Sequence, residues 1–76
     1  MRQHHNPPRR IACNEVIMPD GQRLTLYVLE ISNGYIVDLY PLVQELSNTE
    51  WLTGQIELRA TAEGKFRAYY KGKALT

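Results

Sequence analysis

The sequence predicts a single small all-β domain. We expect about five strands, hairpin-rich and mostly antiparallel, closed as a small barrel or a two-layer sandwich. Three observations carry this. Runs rich in Val, Ile, Leu, Tyr and Thr recur along the 76 residues. Turn signals built on Gly separate them: Pro19-Asp20-Gly21, Ser32-Asn33-Gly34 and Glu63-Gly64. An apolar helical period lasts no longer than about one turn anywhere in the chain.

Residues 1–10, "MRQHHNPPRR", have little to bury and read as a flexible basic tail, with one domain over residues 11–76. "RIACNEVIM" is the first strand, with Ile11, Cys13 and Glu15 alternating with Ala12, Asn14 and Val16. In the turn that follows, Pro19 presets φ, Asp20 bonds its own backbone and Gly21 accepts a positive φ. "RLTLYVLEI" is apolar on both sides. Leu24, Leu26 and Val28 share one face, and Tyr27, Leu29 and Ile31 the other. Such a strand is central and covered on both faces, or is covered by a second sheet and a partner.

The next hairpin turns at Ser32-Asn33-Gly34. A three-residue loop with Gly34 in a left-handed bulge sets Leu29 opposite Val37 and Tyr27 opposite Leu39. That register gathers Tyr27, Leu29, Ile31, Tyr35, Val37 and Leu39 on one face and leaves Glu30, Asp38 and Tyr40 on the other. Pro41 ends the strand. Leu42, Val43 and Leu46 fit a short helical turn over residues 42–47, in a segment that otherwise reads as ordered loop. Gly54 punctuates. "QIELRA" is a strand with Ile56, Leu58 and Ala60 on one side. "KFRAYYK" places Phe66, Ala68 and Tyr70 against Lys65, Arg67, Tyr69 and Lys71.

The net charge of +1 conceals a segregation. Arg2, Arg9 and Arg10 make the first ten residues basic, seven acids against Arg23 make residues 11–58 acidic, and Arg59, Lys65, Arg67, Lys71 and Lys73 make the last segment basic. A lone cysteine, Cys13, excludes an internal disulfide and a cysteine-based zinc site. Residues 1–10 lack the apolar stretch of a secretory leader, and no apolar run reaches the roughly 18 residues of a membrane span. A cytoplasmic location and no membrane partner are the expectations.

Candidate chemistry is sparse. His4 and His5 are adjacent, with no further His in the chain, and read as part of the tail rather than as metal ligands. Cys13 has no ordered base beside it in sequence and reads as a core thiol. No phosphate-binding glycine loop, catalytic triad or metal motif is present. No cofactor and no enzymatic activity are therefore expected. Lys65, Arg67, Tyr69 and Lys71 interleave basic and aromatic side chains, as single-strand nucleic-acid surfaces do. Lysines on an edge strand also block unwanted pairing, and a basic last strand can lie beside an acidic middle. Trp51, in the polar context "SNTEWLTG", reads as a core plug or as an interface anchor, the plug being the simpler reading.

Residues 14–42, "NEVIMPDGQRLTLYVLEISNGYIVDLYPL", resemble the peripheral N-terminal β-sandwich segment of amidohydrolase-family metal hydrolases. The carrying elements are Val16–Ile17, Pro19-Asp20-Gly21, Val28–Ile31, Gly34 and Ile36–Asp38. The resemblance covers under half of the chain. It lacks the His-x-His metal pair and the barrel that follow in that family, so it implies a stand-alone relative of the non-catalytic β-domain, with no catalytic or metal residue to carry over. The expected function is a non-enzymatic interaction module, forming a homodimer or docking another protein through Tyr27, Tyr40 and Trp51. The alternative is a small β-barrel nucleic-acid binder using Lys65, Arg67, Tyr69 and Lys71.

Overall fold

The computed structural model describes residues 7–76, and they are all strand, turn and loop. The strands are β1 (Arg9–Ile17), β2 (Arg23–Ser32), β3 (Tyr35–Pro41), β4 (Glu50–Ala60), β5 (Phe66–Tyr70) and β6 (Lys73–Ala74). They form one six-stranded sheet in the order β3-β2-β1-β4-β5-β6. β1 and β4 are parallel, and every other pair is antiparallel. The sheet curls until β3 and β5 approach within 8 Å, Cα to Cα, without a ladder between them. The result is a half-barrel rather than a closed barrel or a sandwich. Right-handed strand twist curls a sheet this way, and one sheet is enough to wrap a core this small.

Four tight loops follow the turn chemistry of their residues. Pro19-Asp20-Gly21 closes with Gly21 N donating to Met18 O at 2.8 Å and Gln22 N to Asp20 Oδ1 at 2.9 Å. Ala62-Glu63-Gly64 repeats that three-residue form, Gly64 N donating to Thr61 O at 3.0 Å. Asn33-Gly34 and Lys71-Gly72 are two-residue loops with positive φ at both positions, 54° and 83°, then 51° and 83°.

The β2–β3 register departs from the expected one. Ser32 pairs with Tyr35 across the Asn33-Gly34 loop, so the loop has two residues and not three. The ladder then shifts at Val37, which sets Leu29 opposite Leu39 and Tyr27 opposite Pro41. A two-residue loop alone would have aimed Asp38 inward. The bulge at Val37 restores Leu39 to the core and leaves Val37 56% exposed. Ile36, in place of Tyr35 and Val37, packs against the core.

The core lies on the concave side: Ile11, Cys13, Val16, Leu29, Ile31, Ile56, Leu58 and Ala68 are buried together. Ile11 and Cys13 share a cluster with Val16, and Tyr27 and Leu29 with Leu24, although strict alternation puts them on opposite faces. Both strands change face at one line. Asn14 and Leu26 stand opposite each other there without pairing, and Leu26 has φ 55°. β4 takes one extra residue beside them, around Gly54 at φ 113°. Asn14 Oδ1 accepts the Gly54 N–H at 2.7 Å and seals this crease. The inward side is therefore odd-numbered before the crease and even-numbered after it in β1, the reverse of one continuous alternation.

Three further expectations are corrected. Residues 42–47 form no helical turn. They belong to an irregular crossover that must pass over β2 and β1 to reach the far side of β1. β4 starts at Glu50, so Trp51 lies in a strand and not in a loop. β1 begins at Arg9, inside the segment read as tail; His4 and His5 lie outside the described residues.

Candidate functional site

The convex face carries a row of side chains across four strands. Trp51 pairs with Ala12, Ala12 with Val28, and Val28 with Tyr40. Three strand spacings separate the two aromatics, about 14 Å. Ala12 and Val28 are buried although they stand outside the core cluster, because the crossover lies over them. Its first residue is held by Leu42 N donating to Leu26 O at 2.8 Å. Its far end is held by Arg10 Nη1 donating to Ser47 O at 3.0 Å.

Between the crossover and β4 a groove of about 610 Å³ remains open, lined by Ala12, Leu42, Leu46 and Trp51 with Glu45 and Glu50 at its edges. Trp51 is 48% exposed, so it plugs no core. Its indole Nε1–H donates to Thr53 Oγ1 at 2.9 Å, which fixes the ring at the groove wall. Glu50 is held by Arg9 in a fork, Nε to Oε2 at 2.6 Å and Nη2 to Oε1 at 2.9 Å, and its acidity is raised by that bond. Glu45 has no basic partner among the described residues. At the other end of the row Glu30 accepts from Arg10 Nε at 3.2 Å and from the Tyr40 hydroxyl, a bond that pushes the Tyr40 pKa up.

The structure thus brings Tyr40 and Trp51 onto one face and separates Tyr27 from them. Tyr27 packs against the concave core. Leu42 and Leu46, read only as a helical turn, are the groove residues that sequence reasoning missed. No local pattern signals them, because they line a groove only through the parallel β1–β4 pairing, which forces a crossover.

Lys65, Arg67 and Tyr69 share one side of the β5 segment, but both cations turn to the Tyr35 ring and neither to Tyr69. Lys65 Nζ lies 5.0 Å and Arg67 Cζ 5.9 Å from the Tyr35 centroid. Arg59 Cζ covers the Tyr69 ring at 4.1 Å. Lys71, in the turn after β5, lies over Tyr70 at 5.4 Å. The Tyr69 face that a base would stack on is therefore occupied on one side by a guanidinium.

Cys13 is fully buried, and burial pushes its thiol up to about 11. It is a core residue. Among the described residues no group of three or more His, Cys, Asp or Glu side chains is placed to hold a metal ion. Among the described residues no helix is long and apolar enough to cross a membrane. Comparison with protein families, curated proteins and solved structures finds no match.

Proposed function

We propose that the chain is a small non-enzymatic interaction module that docks another protein in the groove beside Trp51. The observation that carries this is a half-exposed, hydrogen-bonded indole facing two leucines across open space. A rigid aromatic beside an apolar concavity is the usual anchor of an interface. The edges name the partner's chemistry. Glu45 lacks a counter-charge among the described residues, and a second copy laid face to face would oppose the same acids. An aliphatic side chain next to Lys or Arg fits better. The likeness of residues 14–42 to the peripheral segment of amidohydrolases nominates an enzyme of that family as one partner class.

Trp51 is the single Trp of the chain, which makes the test direct. Peptides selected on the protein by display should carry an aliphatic residue beside a basic one. They should shift Trp51 emission to the blue and lose binding by tenfold or more in Trp51→Ala. Selection that proceeds equally on Trp51→Ala overturns the docking site, and a dimer in sedimentation whose dissociation requires Trp51→Ala replaces the partner with a second copy.

A second reading, nucleic-acid binding through Lys65, Arg67, Tyr69 and Lys71, is favoured by one observation. Lys65, Arg67 and Lys71 have no carboxylate partner among the described residues. It requires single-stranded RNA to bind with a steep salt dependence that Lys65→Ala and Lys71→Ala each reduce.

A further inference from the structure

We propose that the β2–β3 hairpin tip and the start of β5 form a binding site for a phosphate monoester group, with Arg67 and Lys65 as its cations and Tyr35 as its aromatic wall. This site is separate from the groove at Trp51 and does not rest on it.

The first ground is charge. Among the described residues four arginines have a carboxylate: Arg9 with Glu50, Arg10 with Glu30, Arg23 with Glu15 and Arg59 with Glu57. Arg67 has none. It is also half-buried, and its Nε is sealed from solvent without an acceptor. A guanidinium with one nitrogen sealed from water and no counter-charge is costly to keep. Lys65 aggravates this, because its ammonium converges on the same Tyr35 ring. Two cations gathered at one ring repel each other, and a bound anion offsets that repulsion.

The second ground is that the seat is built. Gly34 is buried, and a Cβ added to it would meet Arg67 Nη2 at 3.4 Å. The two-residue loop thus places a glycine where the guanidinium packs. Beside it lies a cavity of about 360 Å³ lined by Ser32, Asn33, Tyr35, Ile36, Val37 and Lys65. Ser32 and Asn33 add a hydroxyl and an amide, and Ile36 and Val37 give an apolar wall for the body of an ester.

The balance of charge selects the ligand. Two cations and no acid match a group carrying roughly two negative charges at neutral pH, as a phosphate monoester does. A carboxylate or a phosphodiester carries one. The two Nη groups of the guanidinium take two oxygens of the same group, and the ammonium takes the third as a point charge.

The test is a titration of the labelled protein with inorganic phosphate and with phenyl phosphate at constant ionic strength, followed by nitrogen–proton correlation spectra. The Arg67 Nε–H and the Gly34 amide should shift and saturate, and phenyl phosphate should bind tighter than inorganic phosphate. Lys65→Ala, at an exposed position that leaves the fold intact, should weaken binding about fivefold. Lys73→Ala should leave it unchanged. Shifts that follow ionic strength without saturating, or equal binding in Lys65→Ala, overturn the site. So does a single-stranded octanucleotide without terminal phosphate that binds while phenyl phosphate does not, because the surface would then recognise a nucleic-acid backbone.

Discussion

Trp51 and Tyr27 show how differently two aromatics of one sheet are used. Tyr27 lines the concave core, whereas Trp51 stands half-exposed on the outside. Tyr27→Ala should therefore cost about 3 kcal/mol in a urea titration, the range of a truncated core aromatic. Trp51→Ala should cost under about 1 kcal/mol and act on binding instead. Equal costs would contradict the division of faces. Cys13 offers a second check on burial. Its folded pKa, about 11, lies above the ordinary 9.0, so the fold holds the thiol neutral. The stability this contributes is whole below pH 9 and is lost as the pH climbs through 11. Between about pH 8 and about pH 10.5 the wild type should lose on the order of 2 kcal/mol more than Cys13→Ala does. A thiol reagent at neutral pH should react with Cys13 only after unfolding. The basic residues Arg9 and Arg10 resolve the charge segregation of the sequence. They fold back onto Glu50 and Glu30, so these two cations are paired within the molecule, while Lys65 and Arg67 have no carboxylate among the described residues.

At the scale of the element, the crease through Leu26, Asn14 and Gly54 is the feature that aims the side chains. Gly54 has φ 113°, and a Cβ there would meet nothing within 4 Å. Gly54→Ala should thus destabilise through backbone strain alone, by about 1–3 kcal/mol. Asn14→Ala should cost about 1 kcal/mol by releasing the Gly54 N–H, and the two changes should not add, because they break one junction. Thermal unfolding of the two single variants and the double variant checks this. The crease also explains what the sequence could and could not convey. Strand existence was legible because β-branched and aromatic runs sit between Gly-based turns, and the inward residues Ile11, Cys13, Leu29, Ile56, Leu58 and Ala68 follow local alternation. The face change at Asn14 was not legible, since nothing in "CNEV" distinguishes a switch from a continued strand. Gly54 read as an end for the same reason, although it is an interior bulge of β4, and this hid Trp51 in a loop. The hairpin register failed by two residues along most of the ladder, one because Asn33-Gly34 closes as a two-residue loop and one because a bulge lies at Val37. The groove was invisible from local pattern: it exists only because β4 pairs in parallel with β1, a contact between residues about forty positions apart.

For the whole molecule, one curled sheet supplies both walls of the core. β3 and β5 stand near each other without pairing, so the mouth between them is closed by side chains and not by a ladder. Edge devices fit this. The Leu39 N–H is taken by Asp38 Oδ1 at 2.9 Å, and the Ala68 carbonyl by Leu75 N at 2.8 Å. With edges guarded and no second sheet among the described residues, stability rests on a few fully buried large side chains: Ile11, Leu29, Ile31, Ile56, Leu58, Val16 and Val28. A domain of 76 residues has little stability to spare. Ile56 sits in the central part of β4, between β1 and β5, with 0% exposure. Ile56→Ala should therefore remove about 3 kcal/mol and lower Tm by about 12–20 °C. Val43→Ala, at a side chain 84% exposed on the crossover, should leave Tm within a few degrees. Calorimetry of the two variants discriminates between one cooperative core and two loosely joined hairpin units. A single transition shifted by Ile56→Ala means that the parallel β1–β4 contact welds the halves together. Two transitions, of which Ile56→Ala moves one, would mean that the crease is a boundary rather than a bend.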